Sequence, residues 1–164
     1  MSTRGEFRVA VAKEDFVFAA AHFITFAGHR CETLHGHNYR TGVMIEGGLE
    51  KDSWFVVDFS AVKQLMRRLT NELDHRVLLP RDNPKLTIAE ENGSVRVACD
   101  GQPRYVFPAR DCVILPIANT TVEMLAQYLA GRVRAELGSL HPKAIEIEVE
   151  ENFGQSASYR ETLD

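Results

Sequence analysis

Alternating and helix-spaced apolar positions divide the chain into strands, a helix, an insert, a second helix and strands again. Phe7 to Phe23 is rich in Val, Phe and Ala, and Phe16, Phe18 and Ala20 alternate, which predicts one long strand. A loop from Thr25 to Leu34 follows, containing Gly28 and several polar groups. His35 to Glu46 is a second predicted strand, with Tyr39, Val43 and Ile45 as β-formers and Gly47-Gly48 closing it. Trp54 to Val57 is expected to extend the sheet. Over Ser60 to Leu73, the residues Val62, Leu65, Met66, Leu69 and Leu73 form the stripe of a helix with one face on a core. Asp58 or Ser60 can cap its start. Thr121 to Leu137 predicts a second helix, with Met124, Leu125, Leu129, Val133 and Leu137 as its stripe. There, Thr120 and Glu123 have the spacing of a capping box, and Gly138 suits the stop.

Between the helices, Pro80 to Pro116 holds the turn signals Asn92-Gly93 and Asp100-Gly101. They separate short alternating segments, Leu86 to Glu90, Val95 to Cys99 and Tyr105 to Phe107, which predict a β-meander. Ala144 to Glu151 alternates strictly, with Ile145, Ile147 and Val149 on one face and Glu146, Glu148 and Glu150 on the other. A last strand over Ser158 to Thr162 is expected to pair with it. The order predicts a single α+β domain over 1–164, a sheet with two helices on one face and an insertion over 80–116.

Bulk properties narrow the function classes. The 164 residues suit one domain, and 45% hydrophobic with 26% charged residues is the balance of a soluble globular protein. With a net charge of −4 there is nothing to neutralise a row of phosphates, so no nucleic-acid partner is expected. No apolar stretch approaches the roughly 20 residues that span a bilayer, so no membrane partner is expected either. Met1 to Arg8 lacks the apolar core of a secretory signal, which points to the cytoplasm. The cysteines, Cys31, Cys99 and Cys112, are odd in number and not spaced as a disulfide scaffold. Cys99 and Cys112 read as small hydrophobes.

The chemistry concentrates around His35-Gly36-His37. Residues two apart on a strand point to the same side, so these imidazoles aim together, and Gly36 allows a close approach by backbone or substrate. If the first strand lies alongside, His22 at its end supplies a third nitrogen. Three histidines leave one tetrahedral position open, as in a catalytic zinc site. Cys31, in the loop before the pair, could act as a thiolate base or nucleophile, or could close the zinc shell and make the site structural. Glu32 beside it is a loop carboxylate. Asp74-His75 follows the first helix directly, and a carboxylate next to an imidazole can support acid–base work. Glu151 shares parity with Ile145, Ile147 and Val149. It therefore either emerges into water at the strand end or faces a pocket, where it could accept paired N–H groups from a 2-aminopyrimidinone ring.

Taken together, Ala20-Ala21-His22, Cys31-Glu32-Thr33-Leu34-His35-Gly36-His37-Asn38-Tyr39, Val57-Asp58-Phe59, Leu73-Asp74-His75-Arg76, Thr121-Val122-Glu123 and Glu150-Glu151-Asn152 resemble, in order, the motifs of the 6-pyruvoyl-tetrahydropterin and 6-carboxytetrahydropterin synthase family. The resemblance implies a tunnelling fold, a four-stranded antiparallel sheet with two helices. Subunits of this fold assemble as β-barrels into a homohexamer, a dimer of trimers with sites at subunit interfaces. It implies a lyase in which His22, His35 and His37 hold Zn2+ and Cys31 removes a carbon-bound proton. Asp74 and His75 would be its acid–base partners, and Glu151, with Thr121, would anchor a pterin. Glu150 competes for the anchor, but strand parity favours Glu151. The substrate implied is 7,8-dihydroneopterin triphosphate, and the spacing Cys-x3-His-Gly-His resembles members making 6-carboxytetrahydropterin for queuosine. Glu32 also satisfies the E-x2-H-G-H pattern of relatives that make 6-hydroxymethyl-dihydropterin for folate. The resemblance therefore implies 6-carboxytetrahydropterin synthesis as the main activity, with 6-pyruvoyl-tetrahydropterin synthesis, or a dual activity giving 6-hydroxymethyl-dihydropterin through Glu32, as the alternatives.

Overall fold

A computed structural model describes residues 6–11, 16–28, 30–137 and 142–163. The first strands are β1 (Phe7–Val11), β2 (Val17–His22), β3 (Thr25–Phe26), β4 (Arg30–Cys31) and β5 (His35–Gly47), followed by helix α1 (Phe59–Leu73). Next come β6 (Arg76–Pro80), β7 (Leu86–Glu91), β8 (Ser94–Cys99), β9 (Gln102–Pro108) and β10 (Cys112–Leu115). Helix α2 (Val122–Leu137), β11 (Ala144–Asn152) and β12 (Gln155–Thr162) complete the described elements. The class is α+β.

The predicted long first strand is instead two strands laid end to end along the same edge of β5. Val11 pairs with Val43 and Val17 with Arg40, so six residues on one side answer three on the other and the register slips. Part of the predicted strand, 12–15, lies outside the described residues, as does Gly138, the expected helix stop. On its other edge β5 pairs antiparallel with β11, which pairs with β12. The antiparallel strands do not make the whole sheet. β6 runs parallel to β2, and β10 parallel to β6, giving seven strands in a mixed sheet. These two short apolar runs, Val77-Leu78-Leu79 and Cys112 to Leu115, lack alternation because they are largely covered.

One face of the sheet carries Phe18, Tyr39, Val43, Ile45, Ile145, Ile147 and Val149, all buried beneath the two helices. α1 contributes Val62, Leu65, Met66, Leu69 and Leu73, and the Asp58 carboxylate caps it by accepting from Ser60 N. α2 contributes Leu125, Leu129, Val133 and Leu137, with Ala126 and Ala130 letting its backbone approach. The capping box is absent. Thr120 is fully buried and its hydroxyl donates to Phe23 O, while Thr121 Oγ1 accepts, at 3.5 Å, from Met124 N. Trp54 to Val57 does not join the sheet either. The Glu50 carboxylate collects the Asp52 and Ser53 N–H groups, and Trp54 takes a φ of 60°, which no strand accommodates.

The meander is present as expected: β7, β8 and β9 form a separate three-stranded antiparallel sheet. Both hairpins have two-residue turns with positive φ at Asn92, Gly93, Asp100 and Gly101, the geometry that Asn-Gly and Asp-Gly favour. The meander closes over a small second core of Phe23, Leu79, Val95 and Val97.

Candidate metal centre and its cleft

Strand alternation extends the buried face of β5 outward, from Tyr39 to His37 and then His35. β2 lies alongside with His22 opposite His35, so the three imidazoles converge. Gly36 suits this close approach, because a Cβ at that position would lie 3.1 Å from Ala20 O and would press the neighbouring strand outward by a few tenths of an ångström. One ligand nitrogen from each ring lies within 4.8 Å of the others, and the ring centroids are 4.7 to 5.2 Å apart.

Backbone carbonyls orient two of these rings. His22 Nδ1 lies 2.9 Å from Thr120 O, and His35 Nδ1 lies 2.9 Å from Thr33 O. A carbonyl can only accept, so each Nδ1 carries the proton and each Nε2 presents a lone pair. His22 Nε2 is buried with no hydrogen-bond partner among the described residues. Burial, aided by the neighbouring imidazoles, pushes the His22 imidazolium down to about 4, so the ring is neutral near pH 7. A neutral, preoriented imidazole with an unpartnered lone pair fits a divalent metal of the nitrogen-binding class. The group could hold a metal ion.

The histidines floor a cleft of about 300 Å³ whose walls include Ile24, Glu32, Thr121, Val122, Glu123 and Glu151. Glu32 Oε2 lies 3.8 Å from His35 Nδ1, and Glu151 Oε2 lies 4.0 Å from His37 Nε2. Glu151 stands at a β-bulge: Glu150 pairs with Ser156 and Asn152 with Gln155, leaving it as the extra residue. Glu150 and Glu151 both line a neighbouring hollow with Arg40 and Phe153, but of the two only Glu151 reaches the histidine cleft.

Cys31 is not brought to the histidines. Neighbouring residues in an extended chain point to opposite sides, so Cys31 and Glu32 cannot both face the metal group. Cys31 packs on the second core, where burial and the Cys99 thiol push its pKa up to about 11, opposite to an activated thiolate. It neither lines the cleft nor joins the group of possible ligands. Asp74 and His75 are paired, at 2.7 Å, but they also stand elsewhere. Asp74 accepts from Ala19 N, and this bond, with the His75 contact, lowers its pKa. The side chain of His75, held at φ 55°, is 82% exposed and lines a cleft of about 510 Å³ whose other walls include Ala19, Ala21, Gly36 and Asn38, together with His37 of the histidine group. By alternation Ala19, Ala21, Gly36 and Asn38 belong to the sheet face opposite the helices.

Sequence reasoning missed the carbonyls of Thr120 and Thr33, and it gave Ile24 and Glu123 no place in the cleft. No local pattern marks a carbonyl that will meet a histidine 98 residues away.

The α+β fold and a cleft floored by three histidines that could hold a metal mark out a class of small proteins, and comparison with known proteins narrows that class. The family model for 6-pyruvoyl tetrahydropterin synthase matches residues 10–162, so the chain belongs to that family. A Methanocaldococcus jannaschii protein, provisionally named a 6-carboxy-5,6,7,8-tetrahydropterin synthase, is 32% identical over 90% of this chain and 91% of its own. The solved 6-pyruvoyltetrahydropterin synthase of Plasmodium vivax is 32% identical with a TM-score of 0.88, over 98% of this chain and 100% of its own. Two of its structures carry substitutions of a glutamate that they describe as a catalytic residue. A Pyrococcus furiosus dihydroneopterin monophosphate aldolase is 38% identical over 41% of this chain and 56% of its own. Among the described residues, no helix is long and apolar enough to cross a membrane.

Proposed function

We propose that this chain is a zinc-dependent lyase acting on the side chain of a 7,8-dihydroneopterin phosphate, with Glu32 as its base. The observation that carries this reading is that Glu32, and not Cys31, faces the three histidines. The catalytic glutamate named for the Plasmodium relative and the aldolase activity named for the Pyrococcus relative support it.

His22, His35 and His37 would hold the zinc ion, which would supply Lewis acidity toward the substrate's side-chain hydroxyls. Glu32 takes the proton from the hydroxyl on the second side-chain carbon. The bond between the first and second carbons breaks, and its electron pair passes into the pterin ring. A two-carbon aldehyde leaves carrying the phosphate, and a proton returned to the first carbon gives 6-hydroxymethyl-7,8-dihydropterin. Glu151 accepts paired N–H groups from the aminopyrimidinone ring, and Thr121 on the facing wall helps to hold it. His75 is exposed beside the half-buried Asp74, away from the histidine cleft, which suits the pair to complete the site of another copy in a barrel-forming homohexamer of cytoplasmic subunits.

A second reading, 6-carboxytetrahydropterin synthesis for queuosine, is favoured by the name of the Methanocaldococcus relative, which matches nearly the whole chain. Mass spectrometry of products from zinc-loaded protein, with 7,8-dihydroneopterin triphosphate and monophosphate in turn, separates the two. A 6-hydroxymethyl-dihydropterin peak is expected. A 6-carboxytetrahydropterin peak alone would transfer the assignment to the second reading, and no turnover of either substrate would refute both.

A further inference from the structure

The inserted meander reaches the stretch of chain that carries Glu32, and Arg104 and Tyr105 hold that stretch through hydrogen bonds to its backbone. Arg104 Nη2 donates to Glu32 O at 3.0 Å and to Cys31 O at 3.3 Å. Leu34 N donates to the Tyr105 hydroxyl at 3.1 Å. The Tyr105 ring is fixed in turn by Phe23 at 5.2 Å and Phe107 at 5.3 Å, and the Arg104 guanidinium lies 5.3 Å from the same ring. Three backbone groups within Cys31–Leu34 are thus held by two adjacent residues of β9. The local ladder of this loop reaches only as far as Glu32 N, which donates to Ile24 O. Beyond it the main chain enters β5 at His35, and the Tyr105 hydroxyl is the partner of the intervening Leu34 amide.

We infer that the meander is a positioning element of the site, in which Arg104 and Tyr105 lock the Cys31–Leu34 main chain so that the Glu32 carboxylate is directed at the histidine group. This rests on the reading of Glu32 as the base. Hydrogen bonds to main chain on both sides of Glu32 restrict the rotation that would exchange the Glu32 and Cys31 directions. They touch no metal ligand, and of the cleft walls they touch only the main chain of Glu32, the base itself, so they act on the rate and not on binding. The substrate-side machinery stands on the large core, so loosening the latch leaves it intact.

The test uses the zinc-loaded full chain with Tyr105→Phe, Arg104→Ala and Arg104→Lys. Tyr105→Phe keeps the stacked ring and removes only the hydroxyl, so it is expected to fold. We expect kcat to fall about tenfold with KM and zinc content unchanged, the size of effect that slight misplacement of a reacting group produces. Hydrogen exchange at the Leu34 amide should speed up while the amides of the β2–β5 ladder stay protected. Arg104→Lys, which keeps a donor, should recover part of the rate lost in Arg104→Ala. In a Glu32→Gln background, Tyr105→Phe should cost nothing more, because both act through one group. An unmoved Leu34 amide, or a kcat loss that multiplies fully with Glu32→Gln, would overturn the inference. Failure of the base assignment looks different: Glu32→Gln would then keep full activity while Tyr105→Phe still loosened the Leu34 amide.

Discussion

The molecule has two cores of unequal size, and the site draws on both. The large core under α1 and α2 ends outward in Tyr39, His37 and His35, so the histidine group is the rim of the larger core. The small core of Phe23, Leu79, Val95 and Val97 supports the loop that carries Glu32. The histidine group and the Glu32 loop therefore rest on separate supports. Each can be disturbed without the other.

The largest effect should come from the shared centre. His37→Ala removes one of the three proposed ligands from a group that has no fourth member among the described residues, so zinc content by elemental analysis and turnover should both fall to background. Leu129→Ala, in the large core, should cost about 2–5 kcal/mol in denaturant titrations. Val97→Ala should appear first as faster amide exchange in the meander and the Cys31–Leu34 segment, ahead of global unfolding.

Acid should act on the large-core side. The buried His22 has a folded pKa of about 4, below its unfolded value, so between those limits the unfolded chain binds more protons than the folded one. Stability of the metal-free protein is thus fully present above pH of about 6.5 and lost as pH falls toward 4, by about 3 kcal/mol in all. Denaturation midpoints measured at pH 7 and pH 5 check this, and a His22→Gln chain should show a flatter response. On the small-core side the sign reverses. The Cys31 thiol is raised to about 11, so it stays protonated at neutral pH and iodoacetamide should modify it more slowly than an unstructured cysteine.

How far the sequence reaches into this picture depends on whether a feature is local. His35 and His37 were legible because a strand repeats every two residues, and the meander because Asn-Gly and Asp-Gly can adopt the positive φ of tight hairpins. The parallel pair β6–β10 was not. Its strands join runs 35 residues apart, Val77 with Cys112, and neither run alternates. Trp54 was misread because the Glu50 carboxylate, not strand propensity, decides the local backbone. Thr120 was read as a cap, but its hydroxyl is taken by Phe23 O, 97 residues away. Cys31 and Glu32 satisfied two motifs at once on paper. In three dimensions alternation allows one of them to face the histidines, and the second core, which attracts the thiol, makes the choice.

The most direct test of that choice compares Cys31→Ala and Glu32→Gln in one assay, at matched zinc content, on the phosphate ester that wild-type protein turns over. The account predicts that Glu32→Gln loses about 10²- to 10⁴-fold in kcat, the usual worth of a general base, while Cys31→Ala stays within a few-fold of wild type. The reverse pattern, a dead Cys31→Ala beside an active Glu32→Gln, would contradict it.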